Sequence, residues 1–163
     1  MSIKMIWAED SNQVIGFEGR LPWYLPEDLI HFKNLIEYST VVMGRITYES
    51  FIKPLANRRN VVLSNNNIKD KGIEVVHDPE EVLARFPDCW IIGGQTLYEQ
   101  FMPYAKELHI TVVRAEYVGD AYAPEEIPKD FRVTAIGDIK TSKLGLSYQN
   151  ITYKRLDSDW LNV

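Results

Sequence analysis

One short segment concentrates groups able to hold a polar ring: Leu21-Pro22-Trp23-Tyr24-Leu25-Pro26-Glu27-Asp28-Leu29. Pro26 sits where a helix would begin, a favourable place because its missing N–H would be unpaired anyway. Glu27 and Asp28 then fall in the first turn, where negative charge suits the helix dipole. That position alone describes a solvated helix start. A second reading uses the neighbours. Phe32, four residues on, shares the face of Asp28, Leu25 and Leu29 flank it, and the preceding loop delivers Trp23. Asp28 would then look into an apolar pocket while Glu27 and His31 turn outward. A helix dipole is worth about 0.3–1 kcal/mol and lowers an Asp pKa by under about one pH unit, whereas full burial raises it by as much as ~3–5. Buried without a cation, the carboxyl is held above its ordinary range. A ligand offering two parallel N–H donors would restore the carboxylate and bind as a bidentate pair.

Three strand ends carry groups suited to a dinucleotide. After Val41-Val42-Met43 comes Gly44-Arg45-Ile46-Thr47, where a helix should start; free N–H groups there favour phosphate, and Arg45 adds a planar cation. After Trp90-Ile91-Ile92 comes Gly93-Gly94-Gln95-Thr96, whose paired glycines let the backbone approach a pyrophosphate closely. After Val61-Val62-Leu63 come Ser64 and Asn65, hydrogen-bonding groups at the carboxyl end of a strand, where open α/β sheets place ligands. A glycine at such a junction also serves as a plain turn device, so the three gain weight only together. Gly-x-Gly-x-x-Gly and Walker patterns are absent. Arg45 beside a helix start suits the extra phosphate of NADP; readers of NAD usually place an acid on the ribose.

These groups need a scaffold. Short apolar runs predict strands at Ile3–Ala8, Thr40–Met43, Asn60–Leu63, Ile73–Val76 and Trp90–Ile92. Helices are expected over Pro26–Ile36, Thr47–Phe51, Pro79–Arg85 and Thr96–Met102. Alternation of the two implies parallel pairing through crossovers. Later, Glu107–Ala115, Phe131–Gly137 and Ser147–Arg155 read as strands with few helical signals between them, the last of them antiparallel. The expected fold is a mixed α/β sheet of about seven or eight strands in one domain, residues 1–163. From Glu9 to Leu25 no element is apparent, and a structureless stretch beyond ~12–15 residues is uncommon unless it functions. It is either a packed surface loop or a lid, with Gly16 and Gly19 as flexible points and Ile15, Phe17 and Leu21 to lay over something.

Composition narrows the classes. With 163 residues, 45% of them hydrophobic, a full core needs no staples. The single cysteine, Cys89, allows no intramolecular disulfide and fits a reducing compartment; it reads as a small core residue. The amino terminus lacks a signal-like apolar stretch, no run approaches the ~18 residues of a membrane span, and a cytoplasmic location is expected. A formal net charge of −5 with no basic stripe argues against nucleic acid. No His, Cys and carboxylate grouping has metal-ligand spacing, so no metal is expected.

The motifs taken together resemble the dihydrofolate reductase family, from Ile3 to about Asp120 in the right order. Leu21-Pro22-Trp23…Leu25-Pro26-Glu27-Asp28-Leu29…Phe32 resembles its substrate segment. Met43-Gly44-Arg45…Thr47-Tyr48-Glu49-Ser50, Pro54-Leu55…Arg58-Arg59-Asn60 and Ile91-Ile92-Gly93-Gly94 resemble its later motifs. The resemblance implies a mixed, mostly parallel eight-stranded sheet with helices on both faces and an antiparallel C-terminal strand. It further implies NADPH-dependent reduction of dihydrofolate to tetrahydrofolate, a monomer, and antifolate-like small molecules as further ligands. Catalytic roles fall on Leu21, Trp23, Asp28 and Thr111, with Asp28 pairing with the pterin and Thr111 supporting it through a hydroxyl and a water. Ile6, Trp7, Ala8, Leu29, Phe32 and Phe51 would line the substrate pocket, joined by Leu55, Ile92 and Tyr98. Arg58 would grip the α-carboxylate of the substrate's glutamate. For the cofactor the resemblance implies Gly44, Arg45, Ile46 and Thr47 at one junction, Leu63, Ser64 and Asn65 at a second, and Gly93, Gly94, Gln95, Thr96 and Leu97 at a third. Ala8, Ile15, Gly16, Ile92 and Tyr98 would lie near the nicotinamide, and His77 could reach the adenosine.

Some positions depart from the family. Gly119-Asp120 matches a loop motif, but Ala121 and Ala123 stand where a hydroxyl residue and a bulky apolar one are commoner, and Ile46 replaces a polar or basic residue. No element is assigned to Asp157–Val163, which contains Trp160. Two rival readings exist: a pyrimidine reductase of similar fold, which the Trp23…Asp28…Phe32 segment opposes, and a non-catalytic nucleotide-binding module, which the carboxylate pocket opposes.

Overall fold

Alternating apolar residues build a sheet that is covered on both sides. The computed structural model describes residues 1–125 and 127–156, so Asp157–Val163 lies outside the described residues. The strands are β1 (Ser2–Glu9), β2 (Val14–Gly16), β3 (Thr40–Gly44), β4 (Arg59–Leu63), β5 (Ile73–Val76), β6 (Asp88–Ile91), β7 (Ala105–Val113), β8 (Ala121–Tyr122), β9 (Phe131–Ile136), β10 (Lys140–Thr141) and β11 (Ser147–Arg155). The helices are α1 (Pro26–Leu35), α2 (Arg45–Glu49), α3 (Pro79–Arg85) and α4 (Gln95–Phe101), the last running into a 3-10 turn at Met102–Tyr104. Eight strands follow one another in the order β10-β11-β7-β1-β6-β3-β4-β5, and β9 pairs with β11 outside that path. Every pair from β7 to β5 is parallel, while β11 runs antiparallel to β7, β9 and β10. The mixed sheet with an antiparallel C-terminal strand is therefore as the sequence indicated.

Successive strand residues point to opposite faces, and the core divides accordingly. Ile3, Met5 and Trp7 of β1, Val42 of β3, Val61 of β4 and Ile91 of β6 pack with Val82 of α3 and Leu97, Tyr98 and Phe101 of α4. Their neighbours Ile6, Val41, Met43, Val62 and Trp90 point the other way and pack with Ile36, Phe32, Leu35, Tyr48 and Phe51, on or beside α1 and α2. Helix α1 has no fully buried residue, so it lies over the sheet as a lightly anchored wall rather than a core element.

The stretch between β1 and α1 contains an element that its sequence did not announce. Val14–Gly16 forms β2, paired antiparallel with β8. A three-residue strand is too short to show a period, and its partner lies more than a hundred residues away. Gly16 is accordingly a paired strand residue rather than a flexible point. Gly19, with φ +79°, does make a turn, closed by reciprocal Phe17 and Arg20 backbone bonds of 2.8 and 3.1 Å.

Candidate active site

The carboxyl ends of β1, β3, β4 and β6 open onto one long cleft of about 1020 Å³. Its size is at the upper end of the ~300–1,000 Å³ usual for a small-molecule or cofactor site.

Asp28 stands on one wall. Pro26 opens α1, and the Asp28 amide donates to Leu25 O at 3.0 Å, so the first turn presents the carboxyl inward. Thr111 of β7 donates its hydroxyl to Asp28 Oδ1 at 2.6 Å, and Asn150 of β11 donates to Thr111 Oγ1 at 2.7 Å. Burial raises the Asp28 carboxyl above its ordinary value; the Thr111 bond, the charge of His31 one turn on and the Asn150 amide oppose the rise. Glu27 and His31 are half-buried rather than turned fully outward, because α1 lies nearly flat on the sheet. Around Asp28 the cleft wall is apolar: Ile6, Leu29, Phe32, Phe51 and Ile92, with Trp7 and Ala8 beyond.

The second region of the cleft is built from the three strand ends. Gly93 O accepts from the Gly44 amide at 2.8 Å, tying the ends of β3 and β6 together. The Gly93–Gly94 peptide is cis, and a Cβ on Gly93 would lie 3.2 Å from Thr47 Oγ1 and 3.3 Å from the Tyr98 hydroxyl. A side chain at Gly93 would therefore crowd Thr47 and Tyr98, while the two glycines leave backbone exposed to the cleft. Tyr98 is fixed by its hydroxyl donating to Ile6 O at 2.6 Å. Gly44, Arg45, Ile46 and Thr47 line one side, Leu63, Ser64, Asn65 and His77 another, and Gly94, Gln95, Thr96 and Leu97 a third. The His77 ring is set by Nδ1 against Ser64 O at 2.8 Å. Arg45 is paired with Glu49 at 2.8 Å in the exposed first turn of α2.

From the stretch between β1 and α1, Ile15, Gly16, Gly19, Arg20 and Leu21 reach the cleft. Asp120 holds them: its amide donates to Gly16 O and its Oδ2 accepts from the Glu18 amide, both at 3.0 Å. Ala121 pairs with Gly16 across β2 and β8. Ala123 is buried in the core. The segment is therefore braced by backbone pairing and one carboxylate. Asp10 fixes its other end, accepting from the Asn12, Val14 and Tyr117 amides at 2.8, 2.9 and 2.8 Å.

Three residues singled out from the sequence lie off the cleft wall. Trp23 is packed with Leu25, Val113 and Tyr148 beneath it, and its buried Nε1 has no partner among the described residues. Leu55 is half-buried against the α1 and α2 side of the core. Arg58 turns its guanidinium to the carbonyls of Ala56 and Lys33; its neighbour Arg59 is the solvent-facing one of the two, paired with Glu74. Residues of the wall to which the sequence assigned no site role include Asn66 and Gln100, whose polar types carry no periodic signal, and Ser50 and Asp120, which stand in motifs resembling the family's. Asn150 was passed over too, since its register against Thr111 exists only once β11 pairs with β7. Among the described residues no group of three His, Cys, Asp or Glu could hold a metal, and no helix is long and apolar enough to cross a membrane.

A doubly covered α/β sheet whose cleft lies at the carboxyl ends of its parallel strands, with a paired-glycine junction and a half-buried carboxylate on its walls, defines a class, that of α/β proteins with a ligand site at the strand ends. The comparisons make the class particular. A family model described as dihydrofolate reductase matches residues 2–155. A dihydrofolate reductase of Staphylococcus aureus strain Mu50 is 41% identical over 136 residues, covering 83% of this chain and 86% of that one. One of Bacillus subtilis strain 168 is 34% identical over 161 residues, 96% of each. A solved structure, dihydrofolate reductase from Enterococcus faecalis complexed with NADP(H) and RAB-propyl, superposes with a TM-score of 0.89 at 32% identity over 96% of this chain and 97% of that one. The chain belongs to the dihydrofolate reductase family and is an oxidoreductase of that kind.

Proposed function

We propose that the chain reduces 7,8-dihydrofolate to 5,6,7,8-tetrahydrofolate with NADPH, Asp28 anchoring and polarising the pterin. The observation that carries this reading is the Asp28 carboxyl, half-buried and bonded to Thr111 at 2.6 Å in an apolar wall of the cleft. Burial disfavours the ionised form of this carboxyl, and a ring edge with an amino group and an adjacent N–H would offset that through a bidentate pair. Ile6, Leu29, Phe32, Phe51 and Ile92 would hold the ring by its faces. Arg58, bonded to the Ala56 and Lys33 carbonyls off the cleft wall, would turn toward the cleft to grip the substrate's carboxylate.

The glycine junction fits a dinucleotide, since it leaves backbone exposed where a pyrophosphate would need close approach. Gly44, Arg45, Thr47, Ser64 and Asn65 would hold phosphates, with Gln95 and Thr96 at the other junction and His77 near the adenosine. Ala8, Ile15, Gly16 and Tyr98 would border the nicotinamide, which when bound supplies the hydride. Asp28 binds the far edge of the pterin and cannot touch the nitrogen that takes up the proton, so it orients the ring and a water admitted beside the Gly16–Leu21 segment delivers the proton. That segment acts as a lid. We further propose a monomer in the cytoplasm, in keeping with the single buried cysteine.

The test is spectrophotometric. NADPH absorbance should fall only when dihydrofolate is added, and a diaminopyrimidine antifolate should stop the loss. Steady consumption without dihydrofolate, or none with it, would remove the reading.

A further inference from the structure

We propose that Asn150 is a positioning residue: its side-chain amide fixes the direction of the Thr111 hydroxyl, so that Asp28 receives a hydrogen on Oδ1 and carries any proton of its own on Oδ2. The inference rests on the reading that Asp28 anchors the substrate, and it assigns a role to a residue outside the cleft wall.

The geometry starts from strand register. Ala8 pairs with Thr111 across β1 and β7, and Asn150 pairs with Thr111 across β11 and β7. Residues directly opposed on neighbouring strands share a face of the sheet. Ala8, Thr111 and Asn150 therefore form one row, and α1 sets Asp28 against it. Asn150 Nδ2 lies 2.7 Å from Thr111 Oγ1, and Thr111 Oγ1 lies 2.6 Å from Asp28 Oδ1.

Donor and acceptor inventory then decides the wiring. A threonine hydroxyl has one hydrogen and two lone pairs, and an amide nitrogen only donates. Once Asn150 occupies a lone pair of Oγ1, the single hydrogen of Thr111 is left for Asp28 Oδ1. With the amide turned the other way, Asn150 Oδ1 and an ionised Asp28 would compete for that one hydrogen. One acceptor in a partly buried site would then lack a donor, which costs more than an ordinary bond gains. The charge on Asp28 thus selects the donating orientation of Asn150. The two bonds in series polarise each other toward the carboxylate. Burial raises the Asp28 carboxyl, and the Thr111 and Asn150 groups are among the forces that hold it down. Asn150 is half-buried and absent from the cleft wall, so it acts on the ligand through Asp28, and its bonded path to that carboxyl runs through Thr111. Its oxygen-for-nitrogen polarity, rather than its bulk, is what matters.

The relay is tested by following the Asp28 carboxyl carbon by NMR as pH is varied, the resonance being assigned with Asp28→Asn. Asn150→Leu keeps the volume but donates nothing. Asn150→Asp keeps the shape, accepts when ionised, adds a like charge, and carries the test alone should the leucine variant fail to fold. The titration midpoint should rise in Asn150→Leu and rise further in Asn150→Asp. In Asn150→Leu, kcat/KM for dihydrofolate should fall about two- to tenfold while the Kd for NADPH stays unchanged. In a Thr111→Val background most of the effect of Asn150→Leu on the midpoint should vanish, because the relay is already cut. An unmoved midpoint in Asn150 variants that bind NADPH normally overturns the proposal. So does an equal shift in the Thr111→Val background, which would make the action of Asn150 direct. A midpoint that moves as expected while Asp28→Asn retains full turnover keeps the relay and removes the anchoring reading instead.

Discussion

Thr111 Oγ1 lies 2.6 Å from Asp28 Oδ1 across 83 residues of chain. The bond joins a first-turn helix residue to the middle of a sheet strand, so the carboxyl is held by the fold and not by its neighbours in sequence. Few polar groups share that wall. The ionisation of Asp28 is consequently sensitive to what enters the cleft.

The first prediction concerns stability. Burial raises the Asp28 carboxyl above its ordinary value of 3.8, so the folded chain holds that proton more tightly than the unfolded chain. The associated stability is present below about pH 3.8 and is lost as pH climbs through the higher folded value. Asp28→Asn removes this loss while keeping an acceptor for Thr111. The variant should melt at a higher temperature than the parent at pH 7, with the gap closing as pH falls toward 3.8. It should also lose most turnover near neutral pH yet bind NADPH almost normally. Thermal melts over a pH series check the first part, and equal loss of cofactor affinity would contradict the second.

A second prediction rests on Gly93. Its φ of +129° strains any side chain, and a methyl group there would crowd Thr47 Oγ1 at 3.2 Å. Gly93→Ala should cost about 1–3 kcal/mol, lowering Tm by roughly 2–12 °C, and should weaken NADPH more than dihydrofolate. Calorimetry with parallel cofactor titration would reveal a tolerated alanine if Thr47 and Tyr98 can move aside.

Much of this was legible beforehand, for physical reasons. Strands β1, β3, β4 and β6 announce themselves because both faces are buried and each carries a short run of consecutive apolar residues. Pro26, Asp28 and Phe32 are readable because helix capping and spacing are local. What stayed hidden depends on distant pairing. Val14–Gly16 becomes a strand only against Ala121–Tyr122, and Asn150 meets Thr111 only by register. Trp23 looked like a cleft residue from its proximity to Asp28, but Val113 and Tyr148 give it a better apolar seat below.

The hold on the lid segment gives a third prediction. Glu18 donates its amide to Asp120 Oδ2 at 3.0 Å on an exposed surface. Asp120→Ala should raise the hydrogen-exchange rate of the Glu18 amide by roughly tenfold and move Tm by less than about 2 °C. A large drop in Tm would mean that Asp120 supports the core and not the segment alone.

Cys89 supplies a fourth. Burial pushes its thiol up to about 12, and the side chain sits in the core beside Ile91. A thiol reagent at neutral pH should leave the native protein unmodified and label it fully in denaturant, since only the thiolate attacks. Rapid labelling under native conditions would require local opening at β6.

The last prediction separates the two nicotinamide cofactors at Arg45. In the structure Arg45 donates to Glu49 at 2.8 Å, with both side chains about half exposed. An exposed pair of this kind is worth about 0–1 kcal/mol, too little to compete with a phosphate dianion that offers planar, charge-assisted bonds to the guanidinium. Arg45 should therefore release Glu49 when a 2′-phosphate arrives. Arg45→Ala should weaken NADPH about 10- to 150-fold, the range for bonds to charged groups, and leave NADH within roughly twofold. Glu49→Gln should tighten NADPH by no more than about fivefold, and the gain should fade at high salt because the pair is screened. Fluorescence titration of the four protein and cofactor combinations decides it: if Arg45→Ala weakens both cofactors alike, its cation serves the pyrophosphate they share and the 2′-phosphate must be read by Thr47, Ser64 or His77.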